Sequence, residues 1–300
     1  MNNKKTAGVI YAVASYGLWG ILPLYWKLVD SVFPIEILAN RIVWAFVFTI
    51  IIIAVTKQWH ELKAIVRNKK QMFYIFMASI LITINWGLYI WAVNSNRILD
   101  ASLGYYINPL LAVVLGMLIF KEKLNWWTGS ALIIATIGVI IKTLQYGKIP
   151  WISLALAVSF GLYSAIKKSV KANSIVGMTL ETAIVTPIAA AYIVSRHVNG
   201  IGAFETKGTL VILLLIGAGV ATAVPLLLFA SGARRLPLSL LGFTQYISPT
   251  ISLIIGIFVY HESFTVVDMI GFCFIWAALA MYSFSQISLV KSPKNVKQAS

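Results

Sequence analysis

Two ionisable residues interrupt stretches that are otherwise apolar, Arg41 in NRIVWAFVF and Glu181 in TLETAIV, and an offset of 140 positions relates them. A charge exposed to hydrocarbon costs a few kcal/mol, so each must face protein or water. A guanidinium there could hold an anionic group of a ligand or bridge to the carboxylate. Glu181, in a water-poor setting, is the candidate for taking up and releasing protons. Neutral polar and aromatic residues recur in three phrases: NWGLYIWAVN at 85–94, ASLGYYINP at 101–109 and SLLGFTQYISP at 239–249. From these, Asn85, Trp86, Tyr89, Tyr105, Tyr106, Asn108, Gln245 and Tyr246 form the predicted substrate-binding set, with Arg41 and Glu181 as coupling or gate residues. Pro109 and Pro249 are predicted helix breaks, because proline leaves the carbonyl four residues earlier, here Tyr105 and Gln245, without its helical donor.

The elements that position these residues follow from hydropathy. The chain has 300 residues, 60% hydrophobic and 11% charged, with mean hydropathy +0.87. That is too apolar for a core wrapped in a polar shell. A membrane-spanning helix needs about 20 apolar residues. Windows of that kind lie at approximately 7–29, 34–56, 71–93, 101–120, 125–145, 151–167, 176–194, 209–230, 239–260 and 266–287. The fold class expected is an all-α integral membrane protein with ten transmembrane helices. The net charge of +15 could suggest nucleic acid, but the Lys and Arg residues sit in short gaps between apolar windows, which excludes a nucleic-acid reader. With the amino terminus inside, cytoplasmic gaps hold 17 Lys and Arg residues and external ones hold 6, so both termini are expected in the cytoplasm of a plasma-membrane, multi-pass protein. The apolar run after MNNKK is too short ahead of AVA at 12–14 for a cleaved signal, so it reads as the first helix.

The chain also repeats itself. At an offset of 140, Tyr106 matches Tyr246, Ile107 matches Ile247, Pro109 matches Pro249, Gly116 matches Gly256 and Glu122 matches Glu262. Upstream the offset falls to 138, so FTQY carries a two-residue insertion relative to YY. The unit is five helices, an odd number, so the second copy enters the membrane from the opposite side and the repeats are inverted. The boundaries expected are 1–146 and 147–290 for the two five-helix repeats and 291–300 for a cytoplasmic tail. Inverted repeats provide two near-equivalent end states, which is what alternating access requires. Within the phrases, Gly104, Asn108, Ala112 and Gly116 form a ridge of small residues, and Ser248, Ser252 and Gly256 repeat its last positions; close helix packing and cavity lining both remain open for them.

Other residues point away from chemistry. Glu36, one turn into the second helix, is expected to reach the outer surface, while Glu122 and Glu262 fall at helix ends as gate or surface residues. Cys273 is the one cysteine and the histidines show no metal spacing, so no cofactor or metal is expected. A membrane-embedded enzyme acting on a lipid-linked substrate is the rival reading, and it lacks HExxH, GxSxG and any His and acidic cluster at a window end. A P-loop is also absent, which argues against ATP hydrolysis of that type. A passive channel or a non-transporting scaffold is the third reading.

With NWGLYIWAVN, ASLGYYINPL, LGFTQYISPT, EILANR, GMTLET and VPLLLF in view, the chain resembles the EamA family of the drug/metabolite transporter superfamily, in its RarD-type branch. The resemblance covers nearly the whole chain. It implies ten helices in two EamA repeats and secondary transport of a small organic metabolite or drug, and the RarD name is associated with chloramphenicol sensitivity. Asn40 stands where the resemblance leads one to expect His, and Asp100 where it leads one to expect Glu.

Overall fold

The computed structural model describes residues 3–94, 98–146, 151–259 and 265–291. Arg97, Lys148, His261, Glu262 and the tail from 292 onward lie outside the described residues, as does the side chain of Asp100. The described residues form helices joined by short connections, without a strand. In chain order the helices are α1 (Asn3–Lys27), α2 (Pro34–Val55), α3 (Trp59–Arg67), α4 (Lys69–Asn94), α5 (Ile98–Phe120), α6 (Trp126–Tyr146) and α7 (Trp151–Ser169). They continue with α8 (Ser174–Val198), α9 (Ala203–Thr206), α10 (Thr209–Ala233), α11 (Leu238–Gln245), α12 (Ile247–Phe258) and α13 (Val266–Lys291).

Each apolar window of the sequence coincides with helix, but the window at 239–260 is two helices, α11 and α12, interrupted at Tyr246. Among the described residues, six segments are long and apolar enough to cross a membrane: Lys4–Lys27, Pro34–Val55, Lys69–Tyr89, Ser174–Val198, Thr209–Ala233 and Leu238–Phe258. Gly104–Phe120, Trp126–Ile141 and Met269–Tyr282 are apolar stretches within α5, α6 and α13. Helix α7 differs for a physical reason. It carries Ser153, Ser159, Ser164 and Lys167, all buried against protein, while Trp151, Leu154 and Val158 are exposed, so only one face of it needs to be apolar. The outer surface is the reverse of a soluble protein's, with Ile51, Phe73, Leu118, Ile133, Ile188, Leu213 and Phe258 exposed. Apolar side chains facing outward are what a hydrocarbon solvent requires.

The halves of the chain interleave. Helix α2 packs on α8 and α10, α4 on α7 and α8, α1 on α10 and α12, α5 on α7 and α11, and α6 on α13. Each of these pairings has a counterpart when α1, α2, α4, α5 and α6 are exchanged for α7, α8, α10, α11 with α12, and α13. Helices α2 and α8 are antiparallel: Glu36 at the start of one meets Arg196 at the end of the other, and Ile53 and Val176 share a buried cluster at the opposite end. A short helix follows each, α3 and α9, after a residue in the left-handed region, Lys57 at φ 54° and Gly200 at φ 66°. Where α2 and α10 cross, a Cβ on Gly219 would stand 2.3 Å from the backbone carbon of Trp44, so only glycine admits this approach.

Candidate functional site

The two copies of the repeated phrase face each other. The Tyr246 hydroxyl donates to the Tyr106 carbonyl at 3.3 Å, and a Cβ on Gly242 would lie 2.8 Å from the Pro109 carbonyl oxygen. Tyr106 and Tyr246 are buried in this seam, Tyr106 edge-on to Phe272 at 5.2 Å, and Gln245 is buried at the end of α11. Helix α5 passes through Pro109 as one helix, whereas the second copy is interrupted at Tyr246, three residues ahead of Pro249. The FTQY insertion falls at that interruption, so the additional residues are absorbed in a turn. Thr250 turns back to accept it, its Oγ1 donating to the Tyr246 carbonyl at 2.8 Å.

Both predicted asparagines tie helices together. Asn85 Nδ2 donates to the Leu156 carbonyl and to Ser159 Oγ, each at 2.9 Å, joining α4 to α7. Asn108 Nδ2 donates to the Ala157 carbonyl at 3.2 Å, joining α5 to α7, and its Oδ1 is buried with no hydrogen-bond partner in the structure.

Arg41, Trp86, Tyr89 and Tyr105 come together instead around a charge. The Arg41 guanidinium lies 4.5 Å from the centre of the Trp26 ring and 4.9 Å from that of Trp86. Its Nε donates to Thr222 Oγ1 at 3.0 Å. Tyr89 and Tyr105 interact electrostatically with it, and their own rings meet edge to face at 5.8 Å. Cation–ring contacts of this kind reach about 2 kcal/mol when water is excluded. Tyr105 is 37% exposed, so this group borders open space.

Glu181 has a different environment. Its Oε1 accepts from Lys167 Nζ at 2.7 Å, its Oε2 from the Tyr163 hydroxyl at 3.3 Å, and its backbone carbonyl from Ser79 Oγ at 2.7 Å. The bridge from Arg41 to Glu181 is therefore not formed; Lys167 from α7 holds the carboxylate. Lys167, in the last turn of α7, is 3% exposed and folded back from the helix end toward Glu181, and the sequence did not single it out. The signal available was Glu181 itself, since a buried carboxylate calls for a cation. Trp26 and Thr222, of the Arg41 group, are two further residues that the sequence did not single out. A small cavity with room for about one water is lined by Ser79, Thr83, Trp86, Tyr163, Glu181 and Thr182. Trp86 thus stands between the Arg41 group and the Glu181 group.

Arg41 lies seven residues after Pro34 and Glu181 seven after Ser174, about 10 Å along antiparallel helices that start at opposite ends. Beyond Glu181, the end of the bundle is tied shut. Glu122 Oε1 accepts from Leu238 N at 2.6 Å, and its Oε2 accepts from Ser239 N at 3.0 Å and Ser239 Oγ at 2.8 Å. Lys168 stands 3.8 Å from Glu122 and donates to the Leu236 carbonyl. Arg234 reaches the Ala172 carbonyl at 2.7 Å, and Asn173 joins Gln58 and Glu61 at 2.6 Å each. Burial of part of Arg234 among these groups lowers its pKa from the ordinary arginine value. At the other end, Glu36 is buried, contrary to the expectation of surface exposure. Its Oε1 accepts from Ala203 N at 2.6 Å, because the α8–α9 turn folds over it.

The comparisons agree with this arrangement. Residues 6–144 match the EamA-like transporter family. The chain is 50% identical over 293 residues to "Uncharacterized transporter YojE" of Bacillus subtilis, covering 96% of this chain and 97% of that one. It is 39% identical over 288 residues to "Protein RarD" of Escherichia coli, covering 96% and 97% respectively. A solved structure titled "Crystal structure of protein" superposes with a TM-score of 0.70 over 94% of this chain and 98% of its own at 16% identity, a likeness of fold. An apolar helical bundle with charges gathered in its interior and full-length relatives named as transporters identifies the chain as a multi-pass cell-membrane protein that belongs to the EamA family of transporters.

Proposed function

We propose that the protein is a secondary active transporter of a small organic metabolite or drug, working by alternating access between two inverted five-helix repeats, 1–146 and 147–290. The observation that carries this is the helix pairing, in which exchanging the helices of one half for those of the other returns the principal contacts. Two near-equivalent halves have two near-equivalent ways to pack, and a carrier needs both. The ten helices α1, α2, α4, α5, α6, α7, α8, α10, α11 with α12, and α13 are the spans. Both termini lie in the cytoplasm, by the distribution of Lys and Arg. The Glu122 clasp is then the cytoplasmic gate, closed here, and the Arg41 group is reached from outside. Tyr105, Tyr89 and Trp86 meet substrate. The seam of Tyr106, Asn108, Gln245 and Tyr246 joins the two halves beside this site, and Asn85 and Asn108 tie α4 and α5 of the first half to α7 of the second.

Glu181 is the coupling residue of this reading. Protonation of its carboxyl would release Lys167 and Tyr163, and loosen α7 from α8 beside the gate. Reconstituted protein is expected to accumulate substrate when a pH gradient is imposed, and Glu181→Gln is expected to exchange substrate without following the gradient. Flux that ignores the gradient in the native protein and is unchanged in Glu181→Gln would remove Glu181 from coupling. Absence of saturable counterflow for every ligand that binds would remove the carrier reading and favour a scaffold.

A further inference from the structure

Arg41 is an enclosed cation that no carboxylate of the described residues pairs and whose guanidinium has donors to spare. Lys167 is held by Glu181, Lys168 by Glu122, Arg196 by Glu36, and Arg234 by the Ala172 carbonyl and Ser174 Oγ. Among the described residues no carboxylate lies within 4.0 Å of Arg41, and its one hydrogen bond uses Nε. A guanidinium carries five N–H donors in a planar fork, so those on the two Nη atoms remain. Neither Nη is among the fully enclosed, unpartnered atoms of the described residues, and the neighbouring Tyr105 is partly exposed. Thr222 and the rings of Trp26 and Trp86 fix the fork without satisfying it. That is the arrangement expected of a group held ready for an anion.

We propose that Arg41 is the anion-binding group of the transport site and that the substrate is a small organic carboxylate with a flat apolar body. This deepens the transporter reading and rests on it. A carboxylate matches the guanidinium in planarity and pairs with it through two parallel bonds. One negative charge balances the Arg41 guanidinium, whereas Lys167 is already bound to Glu181. A phosphate dianion would leave charge over. The walls, Trp26, Trp86, Tyr89 and Tyr105, are aromatic, so they offer ring faces and edges to a flat substrate and hydroxyls to its polar end.

The test follows thermal unfolding of the purified full chain in detergent while phenylacetate, its neutral amide phenylacetamide and the cation phenethylamine are titrated. Phenylacetate is expected to raise the unfolding midpoint saturably, and the other two are not. Arg41→Lys keeps the charge and loses the fork, and is expected to raise the half-saturating concentration by roughly tenfold or more. Thr222→Val, which leaves Arg41 intact, is expected to raise it several-fold and keeps the test decisive if Arg41 variants fail to fold. Equal shifts with the amide or the amine, a stronger response to inorganic phosphate, no saturable shift with phenylacetate, or unchanged binding in both variants each overturns the proposal. Proteoliposome flux separates the two readings. Arg41-dependent binding of phenylacetate without flux keeps the anion site and discards transport, whereas flux of a neutral solute indifferent to Arg41 keeps transport and discards the anion site.

Discussion

Replacing Lys167 by Met leaves the Glu181 carboxylate without its cation, while replacing Glu181 by Gln leaves the Lys167 ammonium without its anion. The pair is 2.7 Å apart, with side chains 4% and 6% exposed, so neither orphan can recover its interactions from bulk water. Removing one member of such a pair costs about 3–5 kcal/mol, chiefly the penalty of a buried, uncompensated charge. The Tyr163 hydroxyl remains with Glu181 in the lysine variant, and the adjacent cavity admits about one water, so Lys167→Met should fall near the lower figure. In Glu181→Gln, the lysine keeps an amide oxygen and the Tyr163 ring at 5.8 Å, a weaker substitute. The double variant removes both charges together, and its loss should be less than the larger single loss, giving a coupling of about 2 kcal/mol or more. Chemical unfolding in a fixed detergent, run on the native protein, both single variants and the double variant, measures the cycle. Single losses below about 1 kcal/mol that simply add in the double variant would refute the buried pair, because additivity means the groups do not interact.

Two further outcomes follow from the packing. Gly219→Ala should lose about 2 kcal/mol or more, since the new methyl would meet the Trp44 backbone, which cannot turn aside. Gly17→Ala, with nothing within 4 Å of its Cβ, should be neutral or gain up to about 1 kcal/mol from helix propensity, measured by the same unfolding curves. Glu122→Ala removes the acceptor for two backbone amides at the start of α11 and should cost about 1–2 kcal/mol. It should also raise the labelling rate of a cysteine placed at the buried Thr244 by an impermeant maleimide added on the α2–α3–α4 side; an unchanged rate would show that Glu122 does not close that end.

The sequence by itself determined the helices, because a bilayer demands long apolar segments and leaves few alternatives. It determined the internal repeat, which is a property of residue order, and it marked Arg41 and Glu181, because charge in an apolar run is costly wherever it ends up. The partners of those charges were a matter for the tertiary structure. Lys167 is fourteen positions from Glu181 along the chain and belongs to another helix, and Thr222 reaches Arg41 from 181 positions away. Hydropathy says which residues must avoid lipid, but it carries no information on which of them meet. The same limit divides the polar phrase. Tyr105 and Tyr106 are adjacent, yet successive side chains of a helix point about 100° apart, so Tyr105 is partly exposed beside Arg41 and Tyr106 is buried in the seam. Which face of α5 met the other half was decided by packing against α7 and α11, and with it which tyrosine was buried and which was left partly exposed.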